Sequence, residues 1–170
     1  MTVPSPIALI FSSLFISSFG IGIILVVVLL FFILGGQRAI AFEAINNFDG
    51  EIKIYKSEYC GCCSVYVSYF QGRVESNVEV ETVEDVNLIK NNLGVPDGLS
   101  SCHTIKVGDY FVEGHVPLEA IEKLLNEMPD IKGIALPGMP SGSPGMPGAK
   151  EPFVIYAVNN DGSTYEFARM

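Results

Sequence analysis

Residues 51–72, EIKIYKSEYCGCCSVYVSYFQG, decide the fold because they combine a strand, a run of cysteines and a helix in direct succession. Polar and apolar residues alternate over 51–57, which predicts a strand with Ile52 and Ile54 on one face. After the cysteines, apolar residues recur at helical spacing as far as Gly72, which predicts a helix that ends there. We therefore expect the thiols at a helix amino-terminus, where unpaired N–H groups and the helix dipole stabilise thiolates.

The sequence from there to residue 128 continues to alternate strands and helices. A second strand and a short helix come first, and a hairpin then turns at Gly108-Asp109, a two-residue turn signal. Pro117 suits the first turn of a third, amphipathic helix. The predicted elements cover, in order, residues 78–83, 85–93, 103–107, 110–113 and 117–128. The order β-α-β-α-β-β-α is that of the thioredoxin fold, so we predict an α/β domain with a thioredoxin-like mixed sheet.

The carboxy-terminal part departs from this alternation. Residues 131–150 are rich in proline and glycine and contain Pro-Gly-Met-Pro twice. This composition predicts a loop or lid rather than a regular element. Residues 153–158 and 163–168 then flank an Asp-Gly turn, which predicts an extra C-terminal hairpin.

The amino-terminal segment has the composition of a membrane span. Residues 7–34 carry no charge, and as a helix they would extend roughly 40 Å. A bilayer core requires about 20 apolar residues, so we predict one transmembrane helix within residues 1–38, followed by a linker over 39–50 and the domain over 51–170. A cleaved signal peptide is the alternative, with Ala39-Ile40-Ala41 as its cleavage site. The length of the apolar run and the absence of a preceding positive charge favour a retained single-pass anchor.

The net charge of −9 belongs to the part of the chain that begins at Arg38. An acidic domain lacks the basic patch that nucleic-acid binding requires, so we exclude a nucleic-acid partner. Arg38 by itself favours a cytoplasmic flank under the positive-inside rule, but a single residue is weak evidence for topology.

The four cysteines, Cys60, Cys62, Cys63 and Cys102, allow three interpretations. They could be small buried apolar residues, but three of them in Cys-Gly-Cys-Cys is unusual for that role. Cys60 and Cys63 could be the C-x-x-C pair of a thiol-disulfide oxidoreductase. That chemistry leaves Cys62 and Cys102 without a role, whereas a soft-metal site uses all four thiolates. In a thioredoxin-like sheet the start of the third strand lies near the first strand–helix junction, so we expect the four sulfurs to converge.

Crowded thiolates favour Cu(I), bound as one ion or as a multinuclear assembly, and the same site should accept silver. Zinc is the less favoured alternative, because structural zinc sites draw cysteine pairs from two separate knuckles. His103 and His115 are candidate imidazole ligands, although Cys102 and His103 can face the site together only if the strand starts after them. Met139 and Met146 are candidate thioether ligands on the loop, which could alternatively be a plain spacer.

Four motifs in order give the chain a resemblance to a known family. They are Cys-Gly-Cys-Cys, Val-Pro-x-x-Leu-x-Ser-Cys-His-Thr, Gly-Asp-Tyr-Phe-Val-Glu-Gly-His-Val-Pro and Gly-Ile-Ala-Leu-Pro-Gly-Met-Pro-x-Gly-Ser-Pro-Gly-Met. From about Ile52 onward the chain resembles the CopG-type copper-resistance proteins, which are thioredoxin-like. The resemblance implies an extracytoplasmic protein of copper homeostasis with a Cys-ligated copper cluster and a capacity for redox work. It maps the family's cysteines onto those at 60, 62, 63 and 102, and its histidines onto His103 and His115.

Two features depart from that family. Its members carry a cleavable leader, whereas this amino-terminal segment has the length of a permanent anchor. The aromatic residue that follows the cysteine triplet is Tyr66 or Tyr69 here, and the chain has no tryptophan. We therefore predict a membrane-anchored Cu(I)-binding protein whose partners are copper ions and a copper exporter or oxidase. A membrane-tethered thiol-disulfide oxidoreductase and a copper chaperone for an oxidase are the alternatives.

Overall fold

The computed structural model describes residues 42–170, together with Val26 and Leu29 of the amino-terminal segment. Phe42–Met170 forms one compact unit. The predicted anchor over residues 1–38 lies outside the described residues, apart from those two positions. Within the described part of the chain, we find no helix with the length and apolar character that a bilayer crossing requires.

In the described part of the chain, strands and helices alternate as far as α4, except where β3 is followed directly by β4. A 3₁₀ turn, Asp97–Leu99, connects α3 to β3. The helices and strands are α1 (Glu43–Asn46), β1 (Ile52–Lys56), α2 (Gly61–Gln71), β2 (Glu79–Thr82), α3 (Val86–Leu93), β3 (His103–Val107), β4 (Tyr110–Glu113), α4 (Leu118–Glu127), β5 (Gly133–Ala135), β6 (Val154–Val158) and β7 (Thr164–Arg169).

Seven strands of the described part form one mixed sheet in the order β2-β1-β3-β4-β5-β6-β7. The β1–β2 and β4–β5 pairs are parallel, and the other neighbours are antiparallel. From β1 to α4 the elements follow β-α-β-α-β-β-α, so the predicted mixed α/β order is confirmed. The β6–β7 pair confirms the predicted C-terminal hairpin. The thioredoxin-like classification stays a prediction.

The prediction of a loop over residues 131–150 is wrong at its start. Gly133–Ala135 forms β5, which pairs with β4 on one side and β6 on the other. A three-residue strand is too short to show an alternating pattern in the sequence. The ladders of its two neighbours, rather than its own propensity, hold these residues extended.

The domain also begins earlier than the predicted residue 51. Phe42 and Ile45 are buried in the main core, and α1 forms inside the predicted linker. The backbone N–H groups of Ala44 and Ile45 donate to the carboxylate of Glu122 on α4, at 2.7 and 3.0 Å. Such contacts are made across the fold, so the local sequence gives no sign of them.

Two apolar clusters lie on opposite faces of the sheet. Phe111 and Val112 are consecutive in β4 but belong to different clusters, because successive strand side chains point to opposite faces. The larger cluster contains buried side chains of α1, α2 and α4, among them Ile45, Tyr66, Phe70, Ile121 and Leu124. The smaller cluster joins Phe111 to Val95, just beyond α3. One face is therefore covered by α1, α2 and α4, and the other is covered near α3.

Gly133 provides a test of the β5 assignment. A Cβ atom added there would lie 2.1 Å from the carbonyl oxygen of Phe111, in the backbone of the adjacent β4. We expect Gly133→Ala to lower the free energy of unfolding by about 1–3 kcal/mol, the usual cost of overpacking. Urea unfolding measures this loss. The control is Gly98→Ala, where the added atom meets nothing within 4 Å. Equal unfolding midpoints for the two variants would contradict the close packing of β5 against β4.

Candidate metal centre

The antiparallel pairing of β1 with β3 brings the cysteine-bearing segments together. Lys56, the last residue of β1, lies opposite His103, the first residue of β3. The chain leaves β1 toward Cys60, and it enters β3 from Cys102. The predicted convergence of the strand–helix junction with the start of the third strand therefore follows from this register.

Cys60 is the N-cap residue of α2. Its Sγ accepts a hydrogen bond from the backbone N–H of Cys63 at 3.3 Å, which satisfies one of the free donors of the helix start. Cys60 and Cys63 also form a disulfide bond, while Cys62 and Cys102 are free thiols. The structure thus shows the C-x-x-C pair in its oxidised form.

The four sulfur atoms form one group within 4.8 Å of one another. Cys62 Sγ lies 3.5 Å from Cys60 Sγ and 3.9 Å from Cys102 Sγ. Thiolates bound to one tetrahedral ion at about 2.3 Å lie roughly 3.8 Å apart. The distances from Cys62 Sγ to Cys60 Sγ and Cys102 Sγ are therefore those of ligands that share an ion, whereas Cys60 and Cys63 reach such a spacing only once their disulfide is reduced.

Cys102 also belongs to a second group, formed with the two histidines. Its Sγ lies 3.0 Å from Nε2 of His115 and 3.4 Å from Nδ1 of His103. Strand β3 begins at His103, so Cys102 precedes the regular strand geometry. The strand does not start after both residues, as the prediction required, yet the two side chains lie together because Cys102 is outside the alternation of the strand.

His115 has the arrangement of a metal-binding histidine. Its Nδ1 lies 2.6 Å from the carbonyl oxygen of Pro144, so Nδ1 carries the proton and donates it. Nε2 then presents a lone pair toward Cys102. Burial lowers the pKa of His115, and the bond to Pro144 opposes that shift. A neutral ring held at one nitrogen by a carbonyl and open at the other is typical of metal ligands.

His103 lacks this second contact. Its ring is buried, and its Nε2 has no hydrogen-bond partner among the described residues. Burial is the main cause that lowers the pKa of His103 to about 3, and repulsion from the charge of His115 in its protonated form and from Lys90 adds to it, so the His103 ring is neutral. The ring packs against Tyr66, with centroids 4.4 Å apart. Since ligand histidines donate their other N–H group, the geometry favours His115 over His103 as a ligand.

Burial also raises the pKa of the Cys102 thiol to about 12, with the Cys62 thiol adding to the shift. At neutral pH Cys102 is therefore a protonated thiol when no cation is present. A bound cation would displace this proton, because metals bind the thiolate form.

The proline- and glycine-rich loop after β5 lies over this group. Ser143 is buried, and the Pro144 carbonyl accepts the bond from His115. A Cβ atom added at Gly145 would lie 3.0 Å from the Tyr66 nitrogen and 3.1 Å from the Cys62 carbonyl oxygen. The loop thus covers the site through its backbone, a contribution that the sequence analysis missed.

The two loop methionines occupy different positions. Met146 is half-buried and directly follows Gly145 at the site, whereas 41% of Met139 is exposed. The roles of Met139 and Met146 as thioether ligands stay predictions, as do the ligand roles of the cysteines and histidines.

Fold and site together define a cysteine-rich mixed α/β protein with a candidate soft-metal centre. The family described as "Protein of unknown function, DUF411" matches residues 99–146. Two solved structures, titled copper resistance protein CopG forms 2 and 1, are each 33% identical to the chain, with TM-scores of 0.65 and 0.64. Each alignment covers 71% of this chain and 97% of the other. No curated protein matches. The chain belongs to the CopG family of copper resistance proteins.

Gly145 allows a test of the loop's contribution. Its φ of +83° is left-handed, as is the φ of +77° at Gly138, where an added Cβ meets nothing within 4 Å. Both alanine substitutions incur the left-handed cost of about 1–2 kcal/mol. We expect Gly145→Ala to lose more unfolding free energy than Gly138→Ala, because only Gly145 also meets backbone atoms of α2. Urea unfolding of both variants measures the difference, and equal losses would show that the loop does not pack on the site.

Proposed function

We propose that this domain binds Cu(I) through Cys60, Cys62, Cys63 and Cys102 and serves copper resistance. The observation that carries the proposal is the grouping of four sulfur atoms within 4.8 Å of one another. The titles of the two solved relatives, copper resistance protein, support the choice of metal. Within this proposal, His115 is the preferred nitrogen ligand because its Nε2 lies 3.0 Å from Cys102 Sγ, and Met146 is the preferred thioether because it directly follows Gly145.

The chemistry of the donors favours copper over its competitors. Thiolates select soft cations, and crowded sulfurs can each bridge two Cu(I) ions. Silver(I) shares this preference and should occupy the same site. Zinc is the weaker candidate, since structural zinc sites close four ligands around one ion from two separated pairs.

Use of all four sulfurs requires reduction of the Cys60–Cys63 disulfide. Two electrons and two protons from a dithiol reductant convert the disulfide into two thiols, and the dithiol becomes a disulfide. The thiols then lose their protons as copper binds. The amino-terminus of α2 supports this step, because its free N–H groups stabilise negative charge on sulfur.

The proposal includes a membrane location. The uncharged residues 7–34 would hold the domain at a bilayer, and the family resemblance supports the extracytoplasmic side. Tethering raises the local concentration of the domain near a membrane partner, such as a copper exporter or oxidase.

Labelling of intact cells with a membrane-impermeant thiol reagent tests on which side of the membrane the domain lies, since an extracytoplasmic domain is labelled without lysis.

A Cu(I) titration of the reduced domain under anaerobic conditions tests the proposal. We expect at least two copper ions per chain, because bridging sulfurs accommodate more than one ion. Cys102→Ser removes the sulfur that joins both ligand groups and should lower the stoichiometry. Ser68→Ala, at an exposed position one turn further along α2, is the matched control and should leave the stoichiometry unchanged. Fewer than two ions per wild-type chain would exclude a cluster.

The Cys60–Cys63 disulfide favours a second candidate, a thiol-disulfide oxidoreductase. That activity needs only the C-x-x-C pair. Under this alternative, Cys62→Ser and Cys102→Ser leave insulin reduction nearly unchanged, and the activity needs no metal. Under the copper proposal, both substitutions impair copper binding. A copper chaperone would use the same site and would in addition transfer its ion to a partner.

A further inference from the structure

A buried ion pair lies beside the candidate ligands and is not part of either ligand group. Lys90 of α3 is 5% exposed, and Glu113 at the end of β4 is fully buried. One carboxylate oxygen of Glu113 accepts hydrogen bonds from Lys90 Nζ and, at 2.5 Å, from the backbone N–H of Ser101. Its other oxygen accepts a bond from the Thr104 hydroxyl at 2.6 Å. Lys90 Nζ also donates to the Thr104 hydroxyl, at 2.9 Å.

This single carboxylate joins the two segments that carry three of the candidate ligands. Ser101 directly precedes Cys102, and Thr104 directly follows His103. Glu113 itself is two residues before His115. The segments also approach closely at Gly114, where an added Cβ atom would lie 2.8 Å from the Ser101 side chain. Glu113 therefore links the backbone just before Cys102, and the side chain of Thr104, to the segment that leads to His115.

Stability alone does not account for this pair. Bringing two charges out of water offsets most of their attraction, and apolar residues of similar size are often equally stabilising. The position of Glu113 in Glu-Gly-His-Val-Pro was also unexplained by the sequence analysis. A buried carboxylate that accepts a backbone N–H bond next to a ligand is better explained by the placement of that ligand.

We propose that Glu113, charge-balanced by Lys90, is a positioning residue that holds Cys102 Sγ and His115 Nε2 close enough to bind one metal ion. The inference rests on the proposed copper function. It adds a role for residues that contact no metal. The contact that holds the ligand in place is the hydrogen bond from the Ser101 N–H to Glu113. The charge of Lys90 offsets the cost of burying the Glu113 carboxylate.

Two double variants separate positioning from stability. In Lys90→Met/Glu113→Gln, the neutral side-chain amide can still accept from the Ser101 N–H and donate to Thr104. In Lys90→Met/Glu113→Leu, the buried charge is also gone, but no acceptor remains. We expect the Gln variant to keep the Cu(I) affinity of the wild type and the Leu variant to lose about 10–100-fold, as for other groups that orient metal ligands.

Competition of each reduced protein with a chromogenic Cu(I) chelator measures these affinities. The exposed Lys106–Glu51 pair supplies the matched controls, since Lys106→Met/Glu51→Gln and Lys106→Met/Glu51→Leu remove an ion pair that lies away from the ligands. Both control variants should bind copper as the wild type does. Equal affinities for the Lys90→Met/Glu113→Gln and Lys90→Met/Glu113→Leu proteins would overturn the inference.

Two further measurements keep the test decisive. If the Leu variant fails to fold, Glu113→Asp replaces it, because its shorter carboxylate keeps its charge but withdraws from Ser101, and wild-type affinity would overturn the inference. Amide hydrogen exchange of the metal-free wild type should show protection at Ser101, and fast exchange there would also overturn it. If the wild-type protein binds no Cu(I) but its Ser101 amide is protected from exchange, the proposed copper function is wrong, although the contact between Ser101 and Glu113 is present.

Discussion

The antiparallel pairing of β1 with β3 is the constraint on which the candidate metal centre depends. With Lys56 opposite His103, the end of one strand and the start of the other lie side by side. Cys62 and Cys102 are 40 positions apart in sequence, yet this register brings their sulfurs to 3.9 Å. A slip of one residue in this pairing would turn the side chains of β3 to the opposite face of the sheet. The sulfur atoms of Cys62 and Cys102 would then no longer lie together.

Without metal, most of the buried groups at the site beside the β1–β3 junction are uncharged. Cys102 is a protonated thiol because burial disfavours its thiolate, and the two histidines are neutral for the same reason. Cys60 and Cys63 are joined in a disulfide and carry no charge either. Such a site is stable without metal and becomes anionic only as a cation arrives to balance the thiolates. The buried Glu113 is the exception, and Lys90 neutralises it.

Sequence patterns were sufficient for the elements whose signals are local. The alternation of Ile52 and Ile54 and the amphipathic spacing in α4 predicted the strands and helices from β1 to α4. The Asp-Gly turn predicted the last hairpin. The three-residue β5 and the four-residue α1 were missed, because distant partners, such as Glu122 for α1, hold them in place.

The sequence was sufficient to predict the cluster of cysteines at the candidate site. It was not sufficient to predict the contacts that surround and orient them. Cysteines, whose thiolates are soft metal ligands, can be recognised directly in a sequence. The predicted order of the strands implied that the four cysteines converge. The carbonyl of Pro144 that orients His115 is invisible at that level, because every residue has a carbonyl group. The pairing of Lys90 with Glu113 joins α3 to β4 across the fold, and acidic and basic residues are too common for such a pair to be recognised. From the sequence, His115 was only slightly favoured over His103 as a ligand, whereas their hydrogen bonds distinguish the two clearly.

The covering loop meets the site through the Pro144 carbonyl oxygen and through Gly145, and Met146 is the one side chain of the loop that we favour as a ligand. Backbone atoms are the same whatever residue supplies them, so evolution can replace most side chains of residues 136–150 without altering the contact. Related proteins could therefore acquire different outward-facing chemistry on this loop, suited to different partners, while retaining an unchanged centre beneath it. Gly145 is the position least free to change, because its φ of +83° is left-handed and an added Cβ atom would lie 3.0 Å from the Tyr66 nitrogen.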